Sequence, residues 1–72
     1  MKTVAEIFAE RLKELREDKG LSLKALGTAI GVSDIAISRW ENLKRIPNIE
    51  VLALLADFFN ISADYLLGRT DY

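Results

Sequence analysis

Residues 23–42 read LKALGTAIGVSDIAISRWEN, and this stretch decides the fold. Leu26 and Ile30 are four apart, on one face of a first helix, and Ile37 and Trp40 are three apart, on one face of a second. Gly27 falls where a side chain would hold the two helices apart. Gly31 falls where the chain must leave the first helix with positive φ, which glycine adopts at least steric cost. A unit of this shape holds its second helix out from the body at a fixed angle. That is the geometry needed to enter a DNA major groove.

Working outward, each neighbouring helix has its own boundary signals. Thr3 followed by Glu6 reads as a capping box. It predicts a helix from about Val4 to Lys19, with Ile7, Phe8, Leu12 and Leu15 on the inner face and Gly20 ending it. Ser22 caps the helix at about 23–30, with Leu21 as a hydrophobic staple, and Ser33 caps the next at about 34–42. Asp34 in its first turn suits the helix dipole. Leu43 to Pro47 reads as a basic loop, in which Pro47 pushes Ile46 toward an extended conformation. Asn48 caps a fourth helix at about 49–59. Ser62 caps a short fifth at about 63–67, closed by Gly68. No strand alternation, internal repeat or low-complexity tail interrupts the pattern. The expectation is an all-α chain, with residues 1–72 forming one domain, a compact five-helix bundle.

Composition narrows the function. A chain of 72 residues that is 50% hydrophobic can build one helical core. Such a short chain buries only about 60% of its unfolded surface, so stability is expected to be modest without dimerisation. The absence of cysteine excludes disulfides and thiolate chemistry and fits a cytosolic protein. No apolar run reaches the length of a membrane span. MKTVAEIFAERLKEL carries acidic residues within its apolar pattern, which marks an amphipathic helix and not a signal peptide. With no histidine, no cysteine, no glycine-rich phosphate loop and no acidic cluster of metal-binding spacing, neither an enzyme nor a metal or cofactor site is expected. Ser22, Ser33 and Ser62 are better explained as caps than as nucleophiles.

The net charge of −1 argues mildly against nucleic acid, but its distribution matters more. Residues 11–45 hold eight basic and five acidic side chains, whereas the remainder holds two basic and six acidic. The half carrying the two crossed helices is positive and the other half is negative. That polarity suits a duplex on one side; the bland alternative is a solvated surface of mixed charge.

The run LSLKALGTAIGVSDIAISRWENLKRIPN, residues 21–48, resembles the helix-turn-helix of the phage-repressor-like family, Cro/Xre type. Helix boundaries and core positions match over about residues 10–68. The resemblance implies a lambda-repressor-like domain. The implied function is a sequence-specific transcriptional regulator of double-stranded DNA, a repressor occupying a palindromic operator as a homodimer with its third helix in the major groove. Arg39, Ile35, Asp34 and Ser38 are then the expected base readers. The Arg39 guanidinium fits guanine O6 and N7 as a fork, and Ile35 is apolar where the core does not need it and suits a thymine methyl. Asp34 either accepts from a cytosine amine or, the better reading, serves as a helix-terminal charge. Phosphate contacts are expected from Ser33, Lys44 and Arg45, more weakly from Lys24 and Arg11, and from backbone amides near Asn42 as the resemblance implies. Arg16 and Glu41 occupy the positions at which the family pairs an arginine late in the first helix with a glutamate ending the recognition helix. The resemblance thus implies a bidentate ion pair.

Three positions depart from the family pattern. Leu23 stands where glutamine is common. Leu43 stands where glycine is common, and leucine disfavours positive φ, so either Asn42 takes the left-handed position or the loop is rebuilt. The third helix also lacks the glutamines and asparagines that read adenine. Leu23, Asp34, Ile35 and the net charge lean slightly toward an alternative: a protein-interaction module or antirepressor with a degenerate helix-turn-helix. Antitoxin and restriction-modification controller also stay open. The last two helices carry more apolar surface than a small bundle obviously needs. A two-fold dimer patch of Phe59, Tyr65 and Leu66 would use it, as would a protein partner. Family members commonly continue past a sequence like Leu66–Arg69 into a second domain. A complete small regulator and an excised DNA-binding domain are both compatible with this chain.

Overall fold

Each helix starts at a side chain able to accept from its exposed first-turn amides. In the computed structural model, which describes residues 1–72, the helices are α1 (Val4–Asp18), α2 (Leu23–Ile30), α3 (Asp34–Glu41), α4 (Ile49–Phe59) and α5 (Ala63–Leu66). Thr3, Ser22, Ser33, Asn48 and Ser62 are the N-caps, each accepting from the amide three residues on. At α1 the box is reciprocal, since the Thr3 amide donates to Glu6 Oε1 at 2.8 Å. That backbone hydrogen bond holds the Glu6 carboxyl below its ordinary value. A depressed carboxylate stabilises the fold above its unfolded pKa, and this contribution is lost as pH falls through the folded one. Fraying of the first turn of α1 is therefore expected below the usual carboxylate range. A Thr3→Ala variant should return Glu6 to ordinary titration when its side-chain carbons are followed by NMR. Helices α1, α3 and α5 end one residue earlier than the sequence suggests, with Lys19, Asn42 and Leu67 as C-caps.

All five helices contribute to one buried cluster of Phe8, Leu12, Leu26, Ile37, Trp40, Leu55, Ala56, Phe59 and Leu66. This placement corrects the expected dimer patch. Phe59 is 8% exposed and Leu66 is fully buried, so both belong to the core. Only Tyr65 of that trio is partly accessible. A short chain has little interior, and apolar side chains that look surplus in the sequence are consumed in filling it.

The crossing of α2 and α3 depends on Gly27. A Cβ there would lie 2.5 Å from the Val32 carbonyl oxygen and 3.3 Å from the Asp34 nitrogen. The obstacle is thus the backbone of the turn and not a facing side chain. Gly31, at φ +80°, ends α2 as expected.

The exit from α3 resolves the Leu43 question against the commoner solution. Asn42 keeps φ −102°, and Leu43 itself adopts φ +62°. The Lys44 amide donates to the Arg39 carbonyl at 2.8 Å and the Leu43 amide to the Trp40 carbonyl at 3.3 Å. This is a Schellman closure with leucine in the position glycine usually holds. A left-handed leucine costs about 1–2 kcal/mol. Leu43→Gly is therefore expected to raise stability by roughly 1 kcal/mol, less whatever glycine adds to unfolded-chain entropy, as read from urea denaturation.

Candidate nucleic-acid interface

Eight-residue α3 divides its side chains between two environments. Ile37 is fully buried and Trp40 is 7% exposed, which seats the inner edge of the helix on the core. Ser33, Asp34, Ile35 and Arg39 are exposed. Ser38 is half-buried, and its carbonyl oxygen and Oγ accept from the Asn42 side-chain amide at 2.8 and 3.3 Å. Asp34 Oδ1 accepts from the Ile35 amide at 2.9 Å, so its carboxylate lies over the start of its own helix. Lys24 is exposed on α2 and lines a shallow polar cleft with Thr28, Ser33 and Asp34. Lys44 and Arg45 are exposed on the loop that the Leu43 turn launches.

Arg11 points elsewhere. Its Nη1 donates to the carbonyls of Tyr65 at 2.5 Å and Thr70 at 2.7 Å, and its guanidinium lies 4.2 Å over the Tyr65 ring. Asp71 stands 3.8 Å away. We therefore correct its placement among the phosphate ligands: its donors are engaged in clasping the chain after α5 to α1. Carbonyl acceptors carry no sequence signature, so this role could not be read from spacing.

Arg16 and Glu41 set the attitude of α3. Arg16 Nε donates to Glu41 Oε2 at 2.7 Å and Nη2 to Oε1 at 2.9 Å, while Nη1 donates to the Leu21 carbonyl at 2.8 Å. The two side chains are 13% and 6% exposed. The hydrogen bonds to Glu41 hold the Arg16 guanidinium above its ordinary pKa. One arginine thus ties α1, the α1–α2 turn and the end of α3 together. The Leu21 contact had no signal in the sequence.

A second exposed feature is apolar. Ile46 and Ile49 are 72% and 83% exposed. Ile46 lines a groove of about 310 Å³ with Val4, Phe8, Pro47, Leu52 and Leu67. No helix is long and apolar enough to cross a membrane.

Comparison with known proteins shows where this architecture recurs. The helix-turn-helix family matches residues 12–66. The chain is a helix-turn-helix protein of the Cro/Xre type. This helix-turn-helix protein is 42% identical over 61 residues to the HTH-type transcriptional activator BcrR of Enterococcus faecalis, covering 85% of this chain and 30% of that protein. It is 40% identical over 60 residues to the HTH-type transcriptional regulator AnsR of Bacillus subtilis, covering 83% and 52%. It is 39% identical over 62 residues to Repressor protein C2 of Salmonella phage P22, covering 86% and 29%. The chain thus spans about a third to a half of these relatives. Among solved structures, the P22 c2 repressor in complex with a synthetic operator superposes with a TM-score of 0.77 at 35% identity, covering 92% of this chain and 94% of that one.

Proposed function

We propose that this helix-turn-helix protein is a sequence-specific transcriptional regulator of double-stranded DNA, a repressor that occupies a palindromic operator as a homodimer. In this reading residues 1–72 act as one DNA-binding domain in the cytoplasm, at the nucleoid, by binding and without catalysis. The observation that carries it is the exposed face of α3, locked by Arg16 and Glu41, in a fold that the P22 repressor uses on an operator. Arg39 forks guanine, Lys44 and Arg45 meet phosphates, and Ser33 and Lys24 offer further anion contacts. Two copies, each 31 × 25 × 22 Å, are of the right size to present α3 helices about 34 Å apart, one turn of the duplex. The exposed Ile46 and Ile49 offer an apolar patch on which a second copy could seat.

The test is selection of bound sequences from a randomised duplex pool at near-physiological salt. Enrichment of a palindrome with half-sites one turn apart supports the reading. No enrichment by folded protein overturns it and favours the protein-interaction module, for which Leu23 and the exposed Ile35 are the motive. On the selected site, Arg39→Ala is expected to cost about 1–3 kcal/mol and relax specificity at one base pair. Lys44→Ala should weaken all duplexes alike and reduce the salt slope by about 1, as titrations at several salt concentrations would read.

A further inference from the structure

The outward side of α3 carries two adjoining rows of residues. Ile35 and Arg39 stand one turn apart in one row. Asp34, Ser38 and the C-cap Asn42 follow at four-residue intervals in the other. Of these five, only Ser38 is half-buried and the rest are exposed. The Asn42 side chain folds back along the helix onto Ser38, as side chains at helical spacing do.

The contact has a defined polarity. Asn42 Nδ2 donates to the Ser38 carbonyl at 2.8 Å. A carbonyl only accepts, so the amide nitrogen and not Oδ1 must face Ser38. The Asn42 backbone amide donates to the same carbonyl at 3.0 Å. One residue thus fills both lone pairs of that oxygen, which pins Asn42 to α3 and engages its donors within the chain. The same Nδ2 also donates to Ser38 Oγ at 3.3 Å. No hydrogen bond within the chain takes the Ser38 hydroxyl hydrogen in return. A serine hydroxyl by itself turns freely and pairs with donors and acceptors alike. Here the Asn42 amide occupies the accepting side, so the hydrogen points away from it. The amino group of an adenine or cytosine would have to share Ser38 Oγ with that amide, donor beside donor. Purine N7 or a base carbonyl oxygen instead meets a hydrogen already polarised by the bond behind it.

We propose that Asn42 is a positioning residue for base recognition: by holding Ser38 as a donor, it makes the middle of α3 select an acceptor on a base edge over an amino group. The inference rests on the DNA-binding reading. It gives Asn42 a task inside the protein in place of the phosphate contact that its place in the sequence suggests.

The test uses the operator selected from the random pool, with affinity read by fluorescence anisotropy. Acceptors are weakened one at a time: 7-deazapurines remove N7, sulfur replaces the base carbonyl oxygens, and methylphosphonates replace the phosphates. At one base the change is expected to weaken wild-type binding about three- to tenfold per half-site and to have no effect on Ser38→Ala. A pair presenting an amino group at that place should be disfavoured to the same extent. Asn42→Asp has the same shape but accepts where asparagine donates, so the hydroxyl turns inward and this preference is lost or reversed. The added charge lowers affinity for every duplex, so the readout is the ratio between the two duplexes. Asn42→Ala frees the hydroxyl and should narrow that ratio without the charge. In both variants the preference that depends on Arg39 should be kept, which a mere distortion of α3 would not allow. The inference is overturned, and the DNA-binding reading stands, under any of three results: no base acceptor loses its effect in Ser38→Ala, the ratio is unchanged in Asn42→Asp, or the Arg39 preference collapses with it. Absence of salt-sensitive duplex binding by the wild-type protein overturns both.

Discussion

Replacing Glu41 with glutamine is expected to destabilise the protein by about 3–5 kcal/mol, because it strands the Arg16 charge in a largely closed site. Arg16 is only 13% exposed and gives two of its three hydrogen bonds to that carboxylate. For a domain of this size, 1 kcal/mol shifts the melting temperature by roughly 4–8 °C, so the variant should melt roughly 12–40 °C below the parent. Circular dichroism melts and urea titration would measure this. Duplex affinity should fall as well, even where the variant stays folded, since α3 loses the tie that sets its angle. A double variant, Arg16→Met with Glu41→Leu, separates two causes. It removes both charges, so stability should largely return, as it does where apolar pairs replace buried ion pairs. Affinity should return less completely, because a greasy contact does not reproduce the bidentate geometry. Unchanged stability and affinity in Glu41→Gln would show that the core alone positions α3.

Gly27→Ala carries the second large effect. Its Cβ would stand 2.5 Å from a carbonyl oxygen and 3.3 Å from a backbone nitrogen, and neither can rotate away as a side chain would. The turn between α2 and α3 must move bodily. Overpacking of this kind costs about 1–3 kcal/mol, occasionally more. Gly20 is the internal control. It has φ +69°, and a methyl added there would meet nothing within 4 Å, so Gly20→Ala should cost only the backbone strain, about 1 kcal/mol. The distinguishing readout is duplex binding. Gly27→Ala displaces the start of α3, where Ser33 and Asp34 sit, and should reduce affinity at temperatures where the protein remains folded. Gly20→Ala should leave affinity intact. Equal, small effects from both would mean that the turn accommodates a methyl freely.

The helices are legible because their signals are local. A cap and its target amide lie within three residues, and glycine announces a left-handed exit, so five starts and the Gly31 turn can be read without knowing the fold. What needs three dimensions is less accessible. Arg16 and Glu41 are 25 residues apart, and only the resemblance to a family suggests that they meet. Arg11 meets carbonyl oxygens more than 50 residues away, and every residue offers such an oxygen. Leu43 defeats propensity reasoning because its conformation is imposed by the Schellman closure, against its own preference. Phe59 and Leu66 go astray for want of a volume argument: apolar content says how much is available to bury, and only packing says which side chains are left outside.

On α3, residues that hold the fold and residues that face outward are interleaved within eight positions. Helices this short are marginal by themselves, so α3 owes its shape to Ile37, Trp40 and the Glu41 tie. The outward positions 35 and 39 contribute little to that shape. Mutations there are free to alter what is recognised while the scaffold stays put. A lineage could thus drift to a new target through folded intermediates, one side chain at a time, each step nearly neutral for stability.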